Sequence, residues 1–213
     1  DVYFLGWTTT PWTVPSNVAL AVNPRLTYAY VKQGNDFFVL AKNRVAHYFG
    51  ENAEVTKEVK GSDLVGMEYE PLFDYYVGKL DRPAWFVIAA DYVTDADGTG
   101  IVHTAPAFGE DDYQSGLKSN LPFVQPVGRD GRFTEAVKDW AGRFVIDADK
   151  DIIEKLNEEG KVFSTEPYKH DYPFCWRCKT PLLYYARATW YIQTSRLKDN
   201  LVHNNQLINW YPE

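Results

Sequence analysis

The stretch WTTTPWTVPSN at residues 7–17 limits the fold of this chain most, because it places two prolines four residues apart. Proline fixes its own φ and has no backbone N–H, so an α-helix cannot continue through Pro11 and Pro15. We therefore expect a strand over residues 2–7 that runs into a stiff turn. The hydroxyls of Thr8–Thr10 stand on this turn and suit a polar ligand, although a purely structural turn explains the same pattern.

A second stretch, GTGIVHTAPAFGEDD at residues 98–112, predicts a turn, a buried strand, a loop and the start of a helix. Asp112 falls in the first turn of that helix, where the positive end of the helix dipole favours an ionised carboxylate. His103 ends the apolar part of the strand. From the residues alone, both side chains also have a purely structural interpretation. Asp112 is then an ordinary acid at a helix start, and His103 is a hydrogen-bonded histidine at a strand end.

Composition excludes several classes of protein. The 213 residues are 45% apolar and 16% aromatic, which is enough for one packed domain with an appendage. No window approaches the roughly 18 apolar residues of a membrane span. Two cysteines three residues apart argue against a disulfide framework and for a reducing cytoplasm. The net charge of −7 argues against a large nucleic-acid surface, and a start without methionine suggests a piece of a longer protein.

Hydrophobic periodicity predicts many short strands and a few helices. The strands are expected at residues 2–7, 18–22, 26–32, 36–40, 55–59, 68–77 and 85–90, and the helices at 41–49, 111–118 and 147–159. Asp147 or Asp149 is the expected N-cap of the last helix. This pattern indicates an α+β domain built on a curved, mixed, barrel-like sheet with peripheral helices.

The composition changes to Tyr, Pro, Trp and Arg from about residue 166, so we divide the chain into a domain at 1–165 and a junction segment at 166–213. Cys175 and Cys178 in this segment have the spacing of half a zinc knuckle, but a structural zinc site needs four ligands. His170 and His203 lack convincing spacing as partners. Two buried thiols remain the alternative.

Three blocks together resemble the editing insertion of isoleucyl-tRNA synthetase, a class I enzyme. They are WTTTPWTVPSN, GTGIVHTAPAFGEDD and the later HDYPFCWRCKTPL, and the similarity spans nearly the whole chain. The related insertions for valine and leucine usually have Arg after two Thr, where this chain has Thr10. The resemblance therefore implies the isoleucine family, with an editing domain of the valine, isoleucine and leucine synthetase type as the fold.

The resemblance also implies a role for each site residue. The carboxylate of Asp112 binds the α-ammonium of the wrong amino acid. His103 lines the side-chain pocket and excludes isoleucine by size, with general base catalysis as a competing role. The pair isoleucine and valine is the standard example of a one-methylene difference that a single binding step discriminates too weakly. Thr8, Thr9 and Thr10 orient the attacking water and the ester, and Trp7 or Trp12 packs or stacks on adenine.

The implied reaction is hydrolysis of valine from tRNA(Ile), or from its adenylate, by direct attack of water without a covalent intermediate or a cofactor. The expected partners are the tRNA acceptor end and the rest of the parent synthetase, in the cytoplasm. Only the parent is expected to bind ATP, and it would complete the zinc site of Cys175 and Cys178. The alternatives are a non-catalytic tRNA-docking module, a zinc-dependent interaction module, or the editing domain of a valine or leucine homologue.

Overall fold

The computed structural model describes residues 1–169 and 172–211, and within them seven strands form two sheets. The strands are β1 (Val2–Phe4), β2 (Ala19–Val22), β3 (Thr27–Gln33), β4 (Asp36–Ala41), β5 (Glu54–Lys60), β6 (Phe86–Ala89) and β7 (Ile101–Thr104). The first sheet has the order β1-β4-β3-β5, with β1 parallel to β4 and the other pairs antiparallel. The second has the order β6-β2-β7, in which β2 is parallel to β6 and antiparallel to β7.

The two sheets are joined where the first strand leaves one and reaches the other. The N–H of Leu5 donates to the carbonyl of Val39 in β4 at 3.0 Å, and the N–H of Trp7 donates to the carbonyl of Ile101 in β7 at 2.9 Å. Trp7 also forms a parallel bridge with Val102. The predicted strand at 2–7 therefore serves both sheets, and the predicted α+β class with a curved mixed sheet is confirmed.

The described part of the chain contains five α-helices. They are α1 (Val45–Phe49), α2 (Gly61–Leu64), α3 (Glu110–Lys118), α4 (Asp149–Glu158) and α5 (Lys198–Gln206). Short 3₁₀ segments occupy Pro11–Ser16, Lys42–Arg44, Lys138–Trp140, Val145–Ala148 and Thr194–Leu197. Within residues 1–169 and 172–211, none of the helices has both the length and the apolar character needed to cross a membrane.

The prediction of a strand at residues 68–77 is wrong. This stretch makes one isolated bridge, from Glu68 to Phe86, and then turns, with the N–H of Val77 donating to the carbonyl of Asp74 at 3.1 Å. Pro71 cannot donate to a neighbouring strand. The aromatic side chains of this stretch fill gaps in the core as parts of turns, and Tyr75 is buried.

The core is centred on β2, whose four residues are all buried. Apolar and polar residues do not alternate along β2, because the strand has a neighbouring strand on each side and an apolar cluster on each face. A further cluster lies under the Pro11–Ser16 segment, where Trp12 and Val14 pack with Ile152 and Leu156 of α4. The segment that precedes β2 is therefore supported by α4.

Part of the predicted junction segment lies on the body of the domain. The N–H of Ala186 donates to the carbonyl of Ala107 at 2.9 Å, and the amide of Gln125 donates to the carbonyl of Ala186 at 2.8 Å. Further along, Trp190 is 99% exposed and Tyr191 is 88% exposed. The division of the chain at residue 166 stays a prediction.

We predict that Gly100 is required where the two sheets meet. It has a φ of +74°, and a Cβ on it would overlap with the Cβ of Ala41. Gly78 has a similar φ of +72°, but a Cβ there would meet no atom within 4 Å. Gly78→Ala should lower the free energy of unfolding by about 1–2 kcal/mol through backbone strain, and Gly100→Ala by about a further 1–3 kcal/mol through overpacking. Urea unfolding of both variants measures the difference, and equal losses would contradict the prediction.

Candidate functional site

The threonine segment is a turn followed by a short helix. Pro11 is the first residue of the 3₁₀ helix Pro11–Ser16, where a missing N–H has no consequence, so the expectation of a turn without helix is corrected. The hydroxyl of Thr8 accepts the N–H of Thr10 at 3.1 Å, and the two hydroxyl oxygens are 3.5 Å apart. Thr9 is exposed beside them. The segment thus holds three hydroxyls on a backbone fixed by proline.

A carboxylate from α4 fixes the start of the same 3₁₀ helix. Asp149 Oδ1 accepts the N–H of Trp12 at 2.7 Å. Burial raises the pKa of Asp149 to about 6, and this hydrogen bond opposes the shift. The sequence predicts Asp147 or Asp149 as the cap of α4, but neither side chain caps that helix. Asp149 instead satisfies a donor of the threonine segment.

His103 lies on β7, directly opposite Leu20 of β2. Its Nε2 is 2.8 Å from the hydroxyl of Thr13, and its Nδ1 is 3.2 Å from the amide nitrogen of Asn17. Burial lowers the pKa of His103 to about 4, so the ring is neutral at physiological pH. Both ring nitrogens are occupied by side chains of the 3₁₀ helix and of the residue that follows it.

Asp112 is the third residue of α3, as the sequence predicts for a helix start. Its Oδ1 accepts the N–H of Ala105 at 2.7 Å, and a Cβ on Gly109 would overlap with its Oδ2. Burial raises the pKa of Asp112 and outweighs the two backbone N–H groups that lower it. An incoming cation would therefore find a partly desolvated carboxylate with one oxygen already fixed.

The fold brings these groups to one end of β2 and β7. The segment at 7–17 leads into β2, β7 contains His103, and the loop after β7 leads to α3. The ring of Phe108 in that loop packs edge-on against Trp12, with centroids 5.0 Å apart. The N–H of Val18 donates to the carbonyl of Thr104 at 3.1 Å. The predicted threonines, His103 and Asp112 thus belong to parts of the chain that hydrogen bonds hold together in one region.

The two tryptophans of the segment differ. Trp12 is 3% exposed and is a core residue, which excludes it as a stacking surface for adenine. Trp7 packs against Gly98 and meets the ring of Tyr168 edge-on at 5.1 Å. Trp7 and Tyr168 also line a cavity of about 250 Å³ beside β7. Trp7 remains a predicted substrate-binding residue.

Comparisons with known proteins place this geometry in a family. No protein-family profile matches the chain. It is 48% identical over 211 residues to an isoleucine–tRNA ligase of Clostridium novyi (strain NT) and 46% identical over 215 residues to that of Thermoplasma volcanium, which cover 99% and 100% of this chain. The chain belongs to the isoleucine–tRNA ligase family. It spans about a fifth, 20%, of the length of these relatives.

Solved structures show the same fold at low identity. The crystal structure of GlLeuRS-CP1 matches with a TM-score of 0.58 and 18% identity, covering 80% of this chain and 85% of that chain. The editing domain of the P. falciparum cytosolic leucyl-tRNA synthetase matches with a TM-score of 0.56 and 13% identity, covering 74% and 77%. This segment of an isoleucine–tRNA ligase therefore has the fold of a synthetase editing domain.

The two cysteines of this isoleucine–tRNA ligase segment are neighbours in space. Hydrogen bonds lower the pKa of Cys178 to about 7. The hydroxyl of Thr180 has the largest effect, followed by the backbone of Thr180 and by Cys175. A thiol that ionises near neutral pH suits zinc. No third Cys, His, Asp or Glu joins them among the residues that the structure describes. His170, one of the suggested partners, lies outside those residues, and His203 is on α5.

Four further side chains lie around the site, and the sequence predicts no role there for any of them. Thr13 and Asn17 belong to the motif WTTTPWTVPSN, and their closeness in sequence to Thr8–Thr10 could have indicated a role in the site. Tyr69 donates to Asn17 Oδ1 at 2.6 Å from a stretch that was expected to be a strand. Asp149 follows Trp12 by 137 residues. No pattern within the sequence indicates either of these last two contacts.

We predict that Asp149 holds the threonine segment in place. Asp149→Ala leaves the N–H of Trp12 buried without an acceptor, so the free energy of unfolding should fall by about 1–3 kcal/mol. Asp149→Asn keeps an acceptor oxygen and should lose less. Asp147→Ala, at an exposed neighbouring acid, should change stability by less than about 0.5 kcal/mol. Urea unfolding and hydrogen exchange at the Trp12 amide measure these effects, and equal results for residues 147 and 149 would refute the anchor.

Proposed function

We propose that this chain is the editing domain of an isoleucyl-tRNA synthetase, and that it hydrolyses valine from mischarged tRNA(Ile) and from valyl-adenylate. The observation that supports this most is the convergence of the threonine segment, a neutral His103 and the carboxylate of Asp112 at one end of β2 and β7. The sequence relatives are isoleucine–tRNA ligases, which favours isoleucine over the valine or leucine homologues.

Asp112 is proposed to bind the α-ammonium of the amino acid. Its Oδ1 accepts the N–H of Ala105, and a carboxylate has further lone pairs that an ammonium group can use. Desolvation disfavours the isolated carboxylate, and an ammonium within hydrogen-bond distance reverses this preference. A charge-assisted hydrogen bond of this kind both binds the substrate and fixes the position of its ester.

His103 is proposed to set the size of the side-chain pocket. A ring whose two nitrogens are both hydrogen-bonded, and whose pKa is about 4, is a rigid neutral wall and a poor general base at neutral pH. Valine fits beside such a wall, and isoleucine, with one more methylene, meets it. The steric role is therefore preferred over general base catalysis.

The hydroxyls of Thr8, Thr9 and Thr10 are proposed to orient the water and to stabilise the developing oxyanion. Hydroxyl donors that are already in place need no reorganisation during the reaction. They are too weakly basic to keep the proton of the water, so we assign the proton transfer to the neighbouring ribose hydroxyl of the tRNA. This hydroxyl accepts the proton from the water and passes its own proton to the departing ribose oxygen. The ester bond then breaks by direct attack of water, with no covalent enzyme intermediate and no cofactor.

The partners are proposed to be the acceptor end of tRNA(Ile) and the rest of the parent synthetase, in the cytoplasm. A net charge of −7 suits a domain that receives only the single-stranded end while other parts of the parent bind the phosphates. The parent would join isoleucine to tRNA(Ile) with ATP. It would also supply the remaining ligands for a structural zinc at Cys175 and Cys178.

Asp112→Asn tests the proposed ammonium contact. The amide can still accept the N–H of Ala105, so the fold should persist, but the charge is lost. We expect deacylation of valyl-tRNA(Ile) to fall by about 10- to 100-fold, the effect of one charged hydrogen bond. The matched control is Asp111→Asn at the exposed neighbouring acid, which should retain wild-type rates. A wild-type rate for Asp112→Asn would contradict the assignment, as would an equal loss in both variants.

His103→Ala separates the steric role from general base catalysis. Removal of the ring enlarges the pocket, so the ratio of kcat/KM for valyl-tRNA(Ile) over isoleucyl-tRNA(Ile) should fall towards one, mainly because isoleucine is now hydrolysed. If His103 were instead the general base, hydrolysis of both substrates would depend on it. Loss of both activities with an unchanged ratio would therefore replace the steric role by the catalytic one.

A further inference from the structure

The amide of Asn17 has an orientation that its hydrogen bonds determine. Its nitrogen Nδ2 is 2.9 Å from the carbonyl oxygen of Ala19, and a carbonyl can only accept. The atom at this position is therefore the NH₂ group. The same Nδ2 is 3.2 Å from Nδ1 of His103, so Asn17 donates there as well and Nδ1 accepts.

The tautomer of His103 follows from this direction. A neutral imidazole with an accepting Nδ1 has its proton on Nε2. Nε2 then donates to the hydroxyl of Thr13 at 2.8 Å, and that hydroxyl donates to the carbonyl of Thr10 at 2.8 Å. Every donor in this series meets an acceptor, and the series ends on the backbone of the threonine segment.

The series begins at Tyr69. Its hydroxyl lies 2.6 Å from Asn17 Oδ1, which has no hydrogen and must accept. The segment of Tyr69 is held by Trp85, since the N–H of Tyr69 donates to the carbonyl of Trp85 at 2.9 Å. Trp85 in turn donates its indole N–H to the carbonyl of Asn17 at 3.1 Å and has a strained φ of 62°. Asn17 is thus fixed through both its side chain and its backbone by two neighbouring segments, which are themselves joined by a hydrogen bond.

We propose that Tyr69 is a positioning residue of the editing site. It fixes the amide of Asn17, and this amide holds His103 in its neutral Nε2–H tautomer. Through Thr13, the ring then sets the position of the Thr10 carbonyl at the start of the 3₁₀ helix. The inference rests on the proposed function for its catalytic consequence, while the tautomer itself can be tested without any substrate.

Protonation equilibria agree with this arrangement. Burial lowers the pKa of His103 to about 4 and raises the pKa of Tyr69, so the ring remains neutral and the phenol keeps its proton at neutral pH. Protonation of Nδ1 would place two donors against each other at Asn17. Deprotonation of Tyr69 would place two acceptors, its phenolate oxygen and Oδ1 of Asn17, against each other.

The test is the imidazole ¹⁵N spectrum of Tyr69→Phe in the 213-residue chain, which has only four histidines. His103→Gln identifies the signals of His103. In the wild type, Nε2 should appear protonated and Nδ1 unprotonated. Without the phenol, Oδ1 of Asn17 loses its donor, and the carbonyl of Ala19 becomes the main contact that holds the orientation of the amide. The two nitrogen shifts should then move towards each other, and valyl-tRNA(Ile) deacylation should fall by about tenfold, the effect of one hydrogen bond.

Tyr75→Phe is the matched control. Its hydroxyl also donates from a buried tyrosine, to Asp139 Oδ2 at 2.7 Å, but outside the candidate site. Both variants lose one hydrogen bond and should lose similar stability. Only Tyr69→Phe should change the spectrum of His103 and the deacylation rate.

Three outcomes would overturn the inference: a protonated Nδ1 in the wild type, a spectrum of Tyr69→Phe like that of the wild type, or an altered spectrum with an unchanged rate. Asn17→Asp provides a second variant, because a carboxylate can only accept and should move the ring proton to Nδ1. If the wild type has no deacylase activity, the proposed function fails, and the spectra alone then decide whether Tyr69 sets the tautomer.

Discussion

The pairing of β2 with β7 is the constraint on which the candidate site depends. Ala19 stands opposite Thr104 and Leu20 opposite His103, while β6 pairs with the other edge of β2. The threonine segment leads directly into β2, so this register decides which residue of β7 lies beside Thr13 and Asn17. A shift of one residue would turn His103 to the other face of the sheet. The complete burial of β2 makes such a shift costly.

Two properties determine the chemistry of the candidate site: its backbone is held rigidly, and its side chains are weak bases. Proline stiffens the threonine segment, Asp149 holds its first turn, and His103 is neutral with both nitrogens in use. What remains is a set of oriented hydroxyls and one partly desolvated carboxylate. Such a site can position water and an ester and can bind an ammonium.

The sequence was most informative where local chemistry and local structure coincide. The strands at residues 26–32 and 36–40, the helix near residue 111 and the positions of the threonines, His103 and Asp112 all follow from patterns within a few residues. The stretch at 68–77 was mistaken for a strand because its aromatic residues suit strands and core turns alike. The contacts that Asp149 and Tyr69 make in the site were missed because their partners, Trp12 and Asn17, are 137 and 52 residues away. Contacts between residues so far apart in the chain depend on how the elements pack, and they produce no periodic pattern of residues in the sequence.

We propose that the threonine segment, His103 and Asp112 together form one site for the amino acid. Its most direct test is calorimetric binding of an amide-linked, non-hydrolysable valyl-adenosine to the chain, beside the isoleucyl compound. If these residues form one site, the valyl compound should bind more tightly than the isoleucyl one, and Asp112→Asn should abolish the binding. Equal affinity for both compounds, or binding that persists in Asp112→Asn, would contradict it.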